Sequence, residues 1–303
     1  MLVIVAPGQG AQAPGFLAPW LEIPGVADRI SAWSETAGLD LIAYGTTAGA
    51  DEIRDTAVAQ PLLVAAGLAV AEVLGAEPDV VAGHSVGEFT AAALAGVLTP
   101  EQALVLIRER AQAMAKAAAV TRTGMTAVLG GDEDEVLAAI AAHGLTPANR
   151  NGAGQIVAGG TLEQLAALKA DPPARARLIP LSVAGAFHTA HMASAVDHLR
   201  TAAEAITPAD PRLPLLQNAD GAVVRDGSEF IGRLIGQIAT PVRWDSCMAT
   251  LSGLGVTAMI ELVPGGTLTG LAKRALRGVR TVALKTPADL EAARELINEE
   301  TAK

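Results

Sequence analysis

The sequence has a single cysteine, Cys247, in 303 residues. One thiol cannot close an internal disulfide and offers no cysteine cluster for a metal, which suits a reducing cytoplasm, the expected location. Basic residues are also short: 22 Lys and Arg stand against 32 Asp and Glu, a formal charge of −10. That balance argues against a nucleic-acid partner. It gives no long-range pull on an anionic substrate either, so any anion site needs an arginine placed locally. The opening run Met1–Ala6 carries no basic residue and meets Pro7–Gly8 too early for a secretory signal. No uninterrupted apolar run reaches membrane-spanning length; Pro61–Ala71 comes nearest and stops at Glu72, so no membrane association is expected. Aromatic residues make up 3% and apolar residues 50%, the composition of a helix-rich globular chain with room for one large domain and a smaller lobe. None of the five histidines lies beyond His198. The α/β-hydrolases place theirs near the C-terminus, after the acid, so that chain order is disfavoured.

What is present centres on Asp79–Gly96. A short β-branched run ends at Gly83, Ser85 follows, and an alanine-rich helical segment begins at Gly87. Gly83-x-Ser85-x-Gly87 is a G-x-S-x-G in the strand–turn–helix setting of a nucleophile elbow. The glycines permit a sharp bend without colliding side chains. Ser85 would project from the strand's carboxyl end, and the Val86 N–H would face an oxyanion formed on a carbonyl bonded to it. The bland alternative is a tight turn whose serine caps the helix.

A second signal lies in the helix expected from Pro100 to about Ala118. At 100° steps, Glu101, Gln102, Arg108, Glu109, Gln112 and Lys116 share a polar arc, while Ala103, Leu106, Ile107 and Met114 fill the opposite one. Arg110 falls among the latter. A cation on a buried stripe is costly unless an anion meets it. Position alone leaves two readings level, an internal salt bridge and a receptor for a substrate carboxylate.

Leu2–Ala6 reads as a buried strand leading into the glycine-rich Pro7–Gln12 turn, a place where open α/β sheets bind ligands, although the turn has no P-loop lysine or spacing. Trp20 and Trp33 look like packing residues in short helices, and Gln60–Pro61 opens a helix to about Leu74. From Gly124 the pattern becomes β-α-β-β-α-β, with strands at Met125–Leu129, Ala148–Asn151, Gln155–Ala158 and Ala176–Val183, the ferredoxin-like arrangement. The chain then returns through Ala184–Met192 into a helix ending near Ile206. Later strands are expected at Leu215–Asn218, Val256–Val263 and Val279–Lys285. A serine nucleophile needs a base, and His188, at the crossing between lobes, is the best placed. His188 and His191 could suggest a metal pair, but no third ligand is near, so no metal is expected.

Together Pro7–Gln12, Gln60–Pro61, Gly83–Glu88, Arg110, Ala186–Phe187–His188 and Pro264–Gly265–Gly266 resemble malonyl-CoA:acyl carrier protein transacylases, in order and spacing, over essentially the whole length. The acyltransferase domains of polyketide synthases are similar. The resemblance implies an α/β-hydrolase-like large subdomain, residues 1–122 and 190–303, with an inserted ferredoxin-like small subdomain, 123–189. It implies a malonyl-serine intermediate on Ser85, His188 as base, and an oxyanion hole from the Gln9 and Val86 N–H groups. Arg110 would hold the malonyl carboxylate, Phe187 would crowd a methylmalonyl branch, and the main-chain carbonyl of Gln237 would orient His188. The implied partners are malonyl-CoA and a holo acyl carrier protein, with no resident cofactor, feeding fatty-acid or polyketide synthesis; a monomer is expected. Two other classes use less of this pattern. A serine thioesterase or hydrolase would make Arg110 dispensable, and a carrier-binding module would lose nothing without Ser85.

Overall fold

The computed structural model describes residues 1–302. Two sheets organise it. In the larger, β1 (Leu2–Ala6) and β2 (Val80–Gly83) lie side by side and parallel at the centre. Both are buried along their whole length, as strands covered by helices on both faces must be, so they read as unbroken apolar runs.

The smaller sheet begins with β3 (Thr123–Gly130), β4 (Thr146–Gly152), β5 (Gln155–Thr161) and β6 (Ala176–Pro180), all antiparallel to their neighbours in that set. Helices Glu133–Ala142 and Leu162–Ala170 complete the β-α-β-β-α-β order. The chain re-enters the large sheet at β7 (Leu215–Leu216) and β8 (Val223–Val224). It then lends β9 (Val242–Arg243) to the small sheet before closing the large one with β10 (Ala258–Glu261) and β11 (Arg280–Ala283). The large sheet runs β11-β10-β1-β2-β7-β8 and the small one β6-β3-β5-β4-β9. The protein is therefore an α/β fold with a ferredoxin-like subdomain whose sheet takes a fifth strand, paired parallel to Asn149 and Arg150.

Several elements depart from the sequence reading. The expected strand Leu215–Asn218 keeps only two residues, because Gln217 and Asn218 turn their polar groups onto neighbours instead of extending the ladder. The first long helix starts at Thr56 rather than Gln60, since the Asp55 side chain accepts the Ala57 N–H and caps it earlier. Pro61 then sits inside the helix, where it has no N–H to donate. This Thr56–Leu74 helix, though interrupted at Gln60 and Glu72, is long and apolar enough by length and composition to cross a membrane; 78% of its 18-residue apolar window is buried inside the protein. The helix expected after His188 is broken into a 3-10 turn, Ala190–Met192, and a helix, Ala193–Ala203.

Two local devices set the site. Helix Pro100–Val120 starts at a capping box, in which Thr99 and Gln102 exchange side-chain-to-backbone bonds, and it buries the Ala103, Leu106, Ile107 and Met114 face that carries Arg110 inward. At the end of β10, the buried Glu261 carboxylate accepts the N–H groups of Gly266, Leu268 and Thr269 at 2.8–2.9 Å, together with the Thr269 hydroxyl at 2.8 Å. An anion there suits the N-terminus of helix Thr267–Ala275 and seats Leu268 and Leu271 on the cavity wall.

Candidate active site

The elbow is built by close approach. A Cβ on Gly83 would lie 2.0 Å from the Gly87 carbonyl carbon, and one on Gly87 would lie 2.1 Å from the Ala6 oxygen, so neither position has space for a side chain. Ser85 itself carries the bend, with φ 52° in the left-handed region. His188 is the second site residue in that region, with φ 60°. Non-glycine residues adopt it at a cost that the surroundings must offset. Around Ser85 they do so through Asn218, whose Oδ1 accepts the Ser85 N–H at 2.7 Å and whose Nδ2 donates to the Gly83 carbonyl at 2.7 Å. The His188 loop is held by its own N–H on Ile238 O and by the Thr189 hydroxyl on Ala186 O.

Ser85 Oγ lies 2.8 Å from His188 Nε2. On the other side of the ring, Nδ1 lies 2.7 Å from the main-chain oxygen of Gln237. A carbonyl oxygen only accepts, so Nδ1 carries the proton and Nε2 presents its lone pair to the serine hydroxyl. Burial pushes the His188 pKa down to about 3, and the Arg110 cation nearby adds to the effect, while the bond to Gln237 opposes it. The imidazole is neutral at physiological pH. That is the form a base requires.

Arg110 is fully buried, with its guanidinium over the Phe89 ring at 5.8 Å. Nη1 donates to Gln60 Oε1 at 2.6 Å, and Nη2 donates to Gln237 Oε1 at 2.7 Å and to Ser85 Oγ at 3.3 Å. Nε has no protein partner. Among the described residues, Arg110 belongs to no ion pair within 4.0 Å. Burial lowers its pKa to about 10, so it remains a cation. The internal salt bridge, one of the two readings its position allowed, is absent as a direct contact; Glu88 acts on it only at longer range.

These groups open onto a cavity of about 470 Å³ between the subdomains. Gln9, Val86 and Phe187 line it, as do Met114, Met125 and Leu268. The main-chain N–H groups of Gln9 and Val86 have no protein acceptor among the described residues. His84 does not enter the Ser85–His188 pair. Burial lowers its pKa, its Nε2 meets Asn151 Oδ1 at 2.9 Å, and its ring stands edge-on to Trp244, tying the elbow to the small sheet. His191 is exposed in the 3-10 turn.

The acyl transferase domain family matches residues 3–290. The malonyl CoA-acyl carrier protein transacylase of Mycobacterium tuberculosis strain H37Rv is 53% identical over 297 residues, covering 96% of this chain and 98% of its own. The chain belongs to the malonyl CoA-acyl carrier protein transacylase family. The crystal structure of the Mycobacterium tuberculosis transacylase superposes with a TM-score of 0.94, covering 96% of this chain and 99% of that one, at 53% identity. A malonyl transacylase in complex with a type II polyketide synthase acyl carrier protein superposes at 0.90 with 32% identity, covering 97% and 99% of the two chains.

Of the residues singled out from the sequence, the transacylase fold gathers Ser85, His188, Arg110 and Gln237 into one hydrogen-bonded cluster, and places Gln9, Val86 and Phe187 on its cavity. The sequence reading assigned no role to Gln60, Glu88 or Asn218. Gln60 accepts from Arg110, Glu88 is wholly buried behind the elbow, and Asn218 supports the elbow's backbone. A polar residue inside an otherwise apolar helix was the available signal for Gln60.

Proposed function

We propose that the chain transfers a malonyl group from malonyl-CoA to the phosphopantetheine thiol of an acyl carrier protein, through an ester on Ser85. The observation that carries this reading is the buried Arg110 guanidinium, 3.3 Å from Ser85 Oγ and bonded to amide and hydroxyl oxygens. An acyl group ending in a carboxylate supplies its counter-ion through charge-assisted bonds; a plain acyl group leaves the cation unpaired. Ser85 Oγ bonds to the thioester carbon as its proton passes to His188 Nε2, and the Gln9 and Val86 N–H groups meet the oxyanion. The carbon–sulfur bond then breaks, and CoA leaves as a thiol with the proton from His188. In the second half-reaction the carrier thiol gives its proton to His188 as its sulfur bonds to the acyl carbon; the ester bond to Ser85 Oγ then breaks, and that oxygen takes the proton back from His188. The Gln237 carbonyl holds the Nδ1 proton throughout. Phe187 crowds the carbon that bears a methyl in methylmalonyl, a discrimination of about 1–3 kcal/mol.

The scheme uses no resident cofactor. We further assign residues 1–122 and 190–303 to the large subdomain and 123–189 to the small one, with β9 as a strand lent across that division. We take the chain to act as a monomer supplying fatty-acid or polyketide synthesis, and the buried Cys247 thiol fits a reducing cytoplasm. The test follows malonyl-CoA with and without holo carrier protein. Malonyl appearing on the carrier faster than free malonate supports transfer. Free malonate without carrier loading would favour the serine thioesterase instead.

A further inference from the structure

Glu88 stands three residues after Ser85, is fully buried, and has no part in the transfer scheme. Its Oε1 accepts the Asn218 main-chain N–H at 2.6 Å. Its Oε2 accepts from Gln217 Nε2 at 3.3 Å and, in a short contact, from Gln237 Nε2. Burial raises the carboxyl pKa to about 8, with these N–H donors and Arg110 opposing the rise. Every group set against the two oxygens is an N–H donor, which leaves a carboxyl proton no acceptor and favours the carboxylate. The Gln237 amide has two distinct ends. Nε2 faces Glu88 and the Ser85 carbonyl, the latter at 3.2 Å, and Oε1 faces Arg110 at 2.7 Å. With donors alone around it, Glu88 acts only as an acceptor, so this amide cannot turn over while Glu88 holds its nitrogen.

We propose that Glu88 is a positioning residue acting through Gln237, locking the amide oxygen onto Arg110 and serving as the guanidinium's counter-charge one amide removed. A carboxylate placed directly on Arg110 would take the site of the substrate's own carboxylate. No carboxylate at all would leave a buried cation uncompensated. The relay avoids both: it fixes the guanidinium beside Ser85 and leaves it without a direct anionic partner. This inference rests on the malonyl-transfer reading.

The test measures acylation of Ser85 by intact-protein mass spectrometry with two donors, malonyl-CoA and acetyl-CoA, which lacks the terminal carboxylate. In Glu88→Gln the new amide sets an NH2 against one of the former donors, and Gln237 relieves the clash by turning its own NH2 toward Arg110. The malonyl-to-acetyl rate ratio is expected to fall at least tenfold. The exchange variant, Glu88→Gln with Gln237→Glu, keeps the charge and a bond between positions 88 and 237, gives up the donor to the Ser85 carbonyl, and moves the carboxylate onto Arg110; its ratio is expected to fall as well. Both rates falling in parallel, with the wild-type ratio kept in a folded variant, would overturn the proposal and leave Glu88 a support of the elbow alone. If Glu88→Gln does not fold, the exchange variant decides. A wild-type chain that takes up neither acyl group overturns the transfer reading and this inference with it, a result no variant can mimic.

Discussion

Replacing Arg110 by alanine removes the cation bonded to the Ser85 hydroxyl and empties the place where the malonyl carboxylate is expected. The guanidinium is fully buried, so an entering carboxylate forms its pair out of bulk water. Removing one member of such a pair typically costs about 3–5 kcal/mol. At about 1.4 kcal/mol per factor of ten, Arg110→Ala should slow malonyl loading by roughly two to three and a half powers of ten. Acetyl loading has no carboxylate to lose and should change far less. The fold also pays for the change, because Gln60 Oε1 and Gln237 Oε1 lose their donor. Each orphaned acceptor costs about 1–3 kcal/mol unless water reaches it, and loss of a desolvated cation offsets part of that. Melting temperature is therefore the control and the donor ratio the readout. Rates of adduct formation with malonyl-CoA and acetyl-CoA, taken by quenched intact-mass measurement, give that ratio. Equal slowing with both donors would refute the clamp, and so would unimpaired malonyl loading.

Four further outcomes rest on the same geometry. Because burial holds His188 neutral down to about pH 3, Ser85 acylation should show no titration near the ordinary imidazole value of 6.5. Between those two values the unfolded chain binds a proton that the folded one refuses. Stability from this group is thus complete above 6.5 and lost as pH falls, by at most about 1.4 kcal/mol per pH unit, a slope that urea unfolding should show reduced in His188→Asn. Gly87→Ala would set a Cβ 2.1 Å from the Ala6 oxygen of β1, a main-chain atom with no room to yield. A destabilisation above about 4 kcal/mol is expected, and a melting temperature within a few degrees of wild type would contradict it. Phe187→Ala should raise methylmalonyl loading relative to malonyl by about tenfold or more, measured by competition between the two CoA esters.

Much of this arrangement was legible in the sequence because two signals are local. The unbroken apolar runs of β1 and β2 mark buried parallel strands, and Gly83-x-Ser85-x-Gly87 joins one of them to a helix. Arg110 could be picked out because a cation in an apolar arc conflicts with burial, and the structure keeps it at 0% exposure. Glu88 gave no such conflict. An acidic residue in a helix's first turn ordinarily sits in solvent and complements the dipole, so nothing local marked it as buried. Asn218 took its role from a strand that ends early, and β8 and β9, two residues each, are too short to show any periodicity. The Thr99–Gln102 capping box is written in the sequence and was not read there. What the sequence could not supply was pairing between distant segments: β9 against β4, Gln60 against Arg110, and Glu88 against Gln237.

The most direct test of the central claim is intact-protein mass spectrometry after mixing the chain with malonyl-CoA, followed by addition of phosphopantetheinylated acyl carrier protein. The account predicts a malonyl adduct that maps to Ser85, is absent in Ser85→Ala, and moves to the carrier when it is added. An adduct that is lost only to water, or none with malonyl-CoA, would contradict it.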